Sequence, residues 1–117
     1  MSDRLQVTIV GNVTVASPED ERLIEEIQIQ ELGKELSDTL AGDDCEKLLV
    51  SFAKVKFMSS SSLNQLISLQ REASSKEKPL KLCDICAEIM EVFEITALTS
   101  VFDIVESVDA GVASFGA

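Results

Sequence analysis

The sequence predicts an α/β domain: a small mixed β-sheet, opened by an antiparallel hairpin, continued by parallel strands and covered by about four helices. Three observations lead there. Residues 5–17, LQVTIVGNVTVAS, set two β-branched runs on either side of Gly11-Asn12, which is a hairpin signal. Leu48, Leu49, Val50 and Phe52, interrupted only by Ser51, form a nearly continuous apolar run suited to a central strand covered on both faces. From Lys47 onward strand-like and helix-like periods alternate, which calls for parallel pairing through right-handed crossovers.

Taken in order, Ser17-Pro18-Glu19-Asp20-Glu21 ends the hairpin as an acidic, solvated connection. Ile27, Ile29, Leu32, Leu36 and Leu40 include helix-spaced pairs and predict a helix from about Ile27 to Ala41, weakened but not broken by Gly33. Gly42-Asp43-Asp44 stops it before the central strand. Leu63, Leu66, Ile67, Leu69 and Ala73 then mark one face of a second helix, with Asn64, Gln65, Gln70 and Arg71 mostly on the other. Past a polar turn at 74–79, Leu80-Lys81-Leu82 alternates as a strand into Cys83. Ile89, Met90, Val92, Phe93 and Ile95 predict a third helix. Phe102, Ile104 and Val105 predict a last strand, and Val108, Val112 and Phe115 a short terminal helix.

The 117 residues, 45% of them hydrophobic, fit one domain over 1–117 with a single core. No apolar run approaches the ~20 residues of a membrane span and no signal-peptide pattern opens the chain, so a free-standing cytoplasmic protein is expected. A net charge of −11 opposes nucleic-acid binding. The charge is uneven. Residues 47–81 hold seven basic side chains (Lys47, Lys54, Lys56, Arg71, Lys76, Lys78, Lys81) against Glu72 and Glu77, a net of +5. That segment reads either as solvated charge near turns or as a less acidic face that docks a protein partner. With no histidine, tryptophan or tyrosine, the commonest general base and metal ligand is missing.

The switch from strand period to helix period places Ser59-Ser60-Ser61-Ser62 on a strand-to-helix turn. Ser62 with Gln65 three residues on has the form of a capping box. That gives one serine a structural task. The rest either complete a serine-rich cap or offer a hydroxyl that is modified or touches a ligand, beside free N–H groups and the positive end of a helix.

Phe57-Met58-Ser59-Ser60-Ser61-Ser62-Leu63-Asn64, after the strand LLVSFAKV, resembles the signature of the STAS domain, the fold of bacterial anti-sigma factor antagonists. There, Phe-(Ile/Met)-Asp-Ser-(Ser/Thr)-Gly-Leu-Gly leads into a helix and the serine after the aspartate is phosphorylated by a partner kinase. Ser59 stands where the aspartate is usual, and Ser62 and Asn64 where the glycines are. Leu80 to Cys83, the helix ending in Val92-Phe93-Glu94-Ile95-Thr96-Ala97-Leu98, and Val101-Phe102-Asp103-Ile104 are similar to the family's late elements. The resemblance implies a STAS-like fold and phosphorylation at Ser60, with Ser59 and Ser61 as alternates. It also implies a partner-binding loop of Ser59, Ser60, Ser61, Ser62 and Asn64, docking on an anti-sigma factor with serine kinase activity. The other expectation is a STAS interaction domain, in another bacterial signalling complex, that binds its partner without a phosphorylation cycle.

Cys83-Asp84-Ile85-Cys86 is a C-x-x-C at a strand-to-helix junction, where thiol oxidoreductases keep theirs. No aromatic-Gly-Pro context surrounds it, and Cys45 is the only other thiol, too few for a structural zinc site. Reduced, structural cysteines are expected, with no metal and no cofactor. No triad, phosphate-cradling glycine loop or paired carboxylate site is visible, so a binding protein is expected rather than an enzyme, as a monomer or weak dimer.

Overall fold

The computed structural model describes residues 5–43 and 45–115, so Asp44 of the predicted helix stop lies outside the described residues. Strand β1 (Leu5–Val10) turns at Gly11-Asn12 into β2 (Val13–Pro18), the two pairing antiparallel from Leu5↔Pro18 to Val10↔Val13. Gly11 takes φ 64°, the left-handed conformation that a tight two-residue hairpin demands and that glycine adopts without penalty. A two-residue strand β3 (Arg22–Leu23) leads to helix α1 (Glu26–Ala41), which returns the chain to β4 (Lys47–Ser51). β5 (Phe57–Met58) then enters α2 (Ser60–Ser75), followed by β6 (Leu80–Cys83), α3 (Ala87–Ile95), β7 (Asp103–Ile104) and α4 (Val108–Ser114). The main sheet has the order β1-β2-β4-β6-β7, antiparallel at the hairpin and parallel from β2 on, as the alternating pattern predicts.

The apolar run of β4 is split between two cores, as a doubly covered strand requires. Leu48 and Val50 join Leu32 and Leu36 of α1, Leu63, Leu66 and Leu69 of α2, and Ile89 and Phe93 of α3 in the larger cluster. Leu49 points the other way, onto Val13, Val15, Cys83 and the apolar side of α4. There Gly111 permits close approach, since a Cβ on it would stand 2.7 Å from a Leu49 methyl.

Three expectations need correction. Helix α1 begins at Glu26, where Glu25 and Gln28 form a capping box, and Gln28 turns inward to accept from the N–H groups of Ile24 and Glu25. Ile27, one residue before it, is thereby carried round to solvent, 71% exposed. The last strand is only Asp103–Ile104, since Phe102 is spent on the core against Phe93 rather than on the ladder. Ser17 and Pro18 of the expected acidic connection still belong to β2, and the residues just beyond it, β3, pair in parallel with β5.

The basic segment, lastly, does not gather on one face. Lys47 donates to the Phe115 carbonyl, Lys81 lies over the Phe115 ring, and Lys78 satisfies the Leu40 and Gly42 carbonyls at the end of α1. Lys54 pairs with Glu19 at the surface, leaving Lys56 as the basic residue of the segment beside the serine turn. Lys47, Lys78 and Lys81 are thus engaged within the fold, and Lys54 is paired at the surface. No helix among the described residues is long and apolar enough to cross a membrane.

Candidate functional site

The serine turn sits where β5 runs into α2, and the helix starts one turn earlier than its apolar period indicates. Ser59, with extended backbone, is the N-cap: its hydroxyl accepts from the Ser62 N–H at 3.4 Å. The predicted Ser62–Gln65 capping box is not formed. Ser62 is itself inside the first turn, only 3% exposed, and its hydroxyl donates to the Ser59 carbonyl at 2.6 Å. The side chain of Gln65 lies instead against Gly33 of α1. The packing explains the shift: Leu63 and Leu66 must both enter the core, which fixes the rotation of α2 and turns Ser62 inward with them.

Ser60 is consequently the first residue of α2 and is exposed, as is Asn64 one turn on; Ser59 and Ser61 are half-buried. Ser59 replaces an aspartate in the motif that the sequence resembles, and serine and aspartate are comparable N-caps, so the exchange keeps the turn. Within the helix Ser62 and Asn64 need no glycine geometry. Of the proposed loop residues, Ser62 is the one that the fold holds away from the surface.

Hydrogen bonds from the preceding segment hold the turn in place. The N–H groups of Lys56 and Phe57 donate to the Glu21 carbonyl at 2.7 and 3.2 Å, and Ser59 N–H donates to the Leu23 carbonyl at 3.0 Å. Arg22 lies over the Phe57 ring, 4.7 Å from its centre. These contacts place Ile24 beside the turn and, with α3 opposite, enclose a groove of about 380 Å³. Ile24, Phe57, Met58, Leu63, Ile89 and Val92 line it, with Lys56, Ser59 and Glu88 at its polar margin. Its size lies at the small end of ligand and anchor pockets. Glu88 is held below the usual carboxylate range by its own backbone N–H, then by the Cys86 thiol, with a smaller contribution from Lys56.

Sequence reasoning missed this groove. Its one local signal is a surplus: α3 carries Ile89, Met90, Val92, Phe93 and Ile95 within nine residues, more than one helical face can bury. Ile89 and Phe93 enter the core, leaving Val92 and Ile95 exposed.

The Cys-Asp-Ile-Cys stretch forms the neighbouring strand-to-helix turn and is closed. Asp84 takes φ 58°, a left-handed conformation that aspartate tolerates, and accepts from the Ser51 hydroxyl at 2.9 Å and weakly from the Cys83 thiol. Burial, reinforced by the Asp84 charge, pushes the Cys83 thiol up to about 12, so no thiolate forms there at neutral pH. Cys86 lends its thiol to the Lys56 carbonyl at 3.8 Å, and Cys45 is buried elsewhere. Among the described residues no three potential metal ligands come together.

Comparison with known proteins agrees with this architecture. The family model of the STAS domain matches residues 5–111, and the chain belongs to that family. Its fold superposes on a candidate anti-sigma factor antagonist from Thermotoga maritima with a TM-score of 0.84 at 17% identity, covering 96% of this chain and 94% of that one. It is similarly close to an anti-sigma-factor antagonist (STAS) domain protein from Planctomyces limnophilus, with a TM-score of 0.83, 19% identity and coverage of 97% and 98%. The Bacillus cell fate determinant SpoIIAA in its phosphorylated form gives a TM-score of 0.70 at 14% identity, with coverage of 95% and 98%. Comparison with curated proteins returns no match.

Proposed function

We propose that this STAS domain is an anti-sigma factor antagonist of a partner-switching circuit. Unphosphorylated, it docks on an anti-sigma factor with serine kinase activity, and phosphorylation of Ser60 releases it. The observation that carries the reading is the position of Ser60: exposed, first in α2, beside an apolar groove, while its neighbours Ser59 and Ser62 are committed to the cap. A phosphate there is favoured by the helix N-terminus, yet adds up to about two negative charges to a surface that otherwise offers a small hydroxyl and apolar side chains. On this reading the protein works in the cytoplasm as a regulator of transcription and is not an enzyme.

The test is affinity capture from source cells, then incubation of the captured kinase and ATP with the protein. One phosphate on Ser60 is expected, with Ser60→Ala remaining bound in the presence of ATP. Ser60→Asp should release the partner while staying within about 0.5 kcal/mol of wild-type stability, as a surface change does. Phosphate at Ser59 or Ser61 would move the register by one residue and keep the mechanism. A kinase that binds but leaves the turn unmodified, with Ser60→Asp binding normally, would reject it.

One observation favours a second reading, a STAS interaction domain that docks without phosphorylation. Ser59 supplies the cap but no carboxylate beside Ser60. Under that reading the same groove binds its partner, and ATP changes nothing.

A further inference from the structure

β1 is the open edge of the main sheet. In a two-residue hairpin the pair that closes the loop exchanges hydrogen bonds, so Val10, Thr8 and Gln6 spend their peptide groups on Val13, Val15 and Ser17 of β2. Leu5, Val7 and Ile9 therefore direct theirs outward, and among the described residues nothing accepts or fills them. The same three residues project their side chains on one face of the sheet, where Leu5 reaches the large core but Val7 and Ile9 are 48% and 62% exposed. Solvent thus meets a free ladder and an apolar row on the same alternate residues. The devices that ordinarily protect an edge, a lysine, a proline or a bulge, are missing: LQVTIV is uncharged on a chain of net charge −11.

We infer that β1 is a self-association edge, pairing antiparallel with β1 of a second copy about a two-fold axis at Val7. The strand is self-complementary in that register. Val7 faces the second copy's Val7, and Leu5 faces its Ile9, so all three outward peptide groups find partners. Val7 is covered by its own counterpart across the dyad, and Ile9 by the second copy's Leu5. The strand carries no charge, so no like charges face each other across the axis and apolar side chains meet apolar ones. One strand pair buries less than a standard interface, and two chains of −11 repel, so the dimer is weak and tightens as salt screens the charge. β1 contributes no residue to the groove beside Ser60, so the inference is independent of the proposed function.

Sedimentation velocity across a micromolar-to-millimolar series, at low and moderate salt, should show a concentration-dependent dimer. Amide exchange read residue by residue should show Leu5, Val7 and Ile9 gaining protection with concentration while Gln6, Thr8 and Val10 are protected throughout. Val7→Lys, which sets two like charges across the axis, should weaken the dimer at least about tenfold with the melting temperature unchanged. Val7→Pro removes only an outward N–H and should do the same. A monomer throughout the series would overturn the inference, and so would a dimer that neither substitution weakens. An edge that pairs only with a strand of another protein would overturn it too.

Discussion

Two neighbouring strand-to-helix turns of this protein have opposite fates. At the entry to α2 a serine side chain caps the helix, the next serine is exposed, and an apolar groove lies open beside it. At the entry to α3 the Cys86 side chain makes no cap, the aspartate is bonded to a buried serine of β4, and the first thiol is sealed in the core. Both stretches carry residues that in other proteins do chemistry. The environment decides which can: a hydroxyl beside free helix N–H groups is available, whereas a thiol pushed up to about 12 by burial is not.

The largest expected effect tests what holds the open turn. Leu66, on the inner face of α2, should cost about 2–5 kcal/mol on substitution by Ala, measured by denaturant unfolding. A loss within about 0.5 kcal/mol, as at a surface site, would mean that the helix that carries the serines is not anchored as described.

Next comes the sealed thiol, whose pKa in the folded protein is raised from an ordinary 9.0 to about 12. The folded state retains a proton that the unfolded chain gives up. The contribution is therefore complete below pH 9.0 and disappears as the pH climbs towards 12. The stability gap between wild type and Cys83→Ala should close by about 1.4 kcal/mol per pH unit over that window. A gap independent of pH would show a thiol open to solvent, erasing the contrast between the turns.

Asp84→Ala should cost about 1–3 kcal/mol by stranding the buried Ser51 hydroxyl, while Asp84→Asn keeps both an acceptor and the left-handed conformation and restores most of it. Equal losses in the two variants would remove Asp84 as the fastening of the closed turn. The smallest effect belongs to the cap: Ser59→Ala should cost about 1 kcal/mol and Ser59→Asp nothing. If Ser59→Asp were instead as damaging as Ser59→Ala, the cap would lie elsewhere among the four serines.

The elements with a strong local pattern were legible: the hairpin from Gly11-Asn12, β4 from its apolar run, α2 from Leu63 onward. The cap was not, because four identical serines give no register of their own. Which one caps is set by where Leu63 and Leu66 must point, a tertiary fact. β3 and β5 escaped for a different reason, since two residues apiece cannot display a period of two, and their pairing joins residues far apart in the chain, Arg22 with Phe57 and Leu23 with Met58. The groove inherits that difficulty: Ile24, Phe57 and Val92 come from three separate segments, and only the excess of apolar residues on α3 hinted at it.

The two-residue pairing of β3 with β5 also has a genetic consequence. Ser59 takes its N–H partner from Leu23, and Phe57 is stacked under Arg22, so residues 21–24 belong to the serine turn although they lie far from it in the chain. If the turn binds the partner as proposed, substitutions that impair that binding should therefore fall into two clusters, one around 57–64 and one around 21–24. Second-site revertants of a damaged serine turn should be recovered preferentially in the other cluster, whereas α4, across the sheet, should yield few.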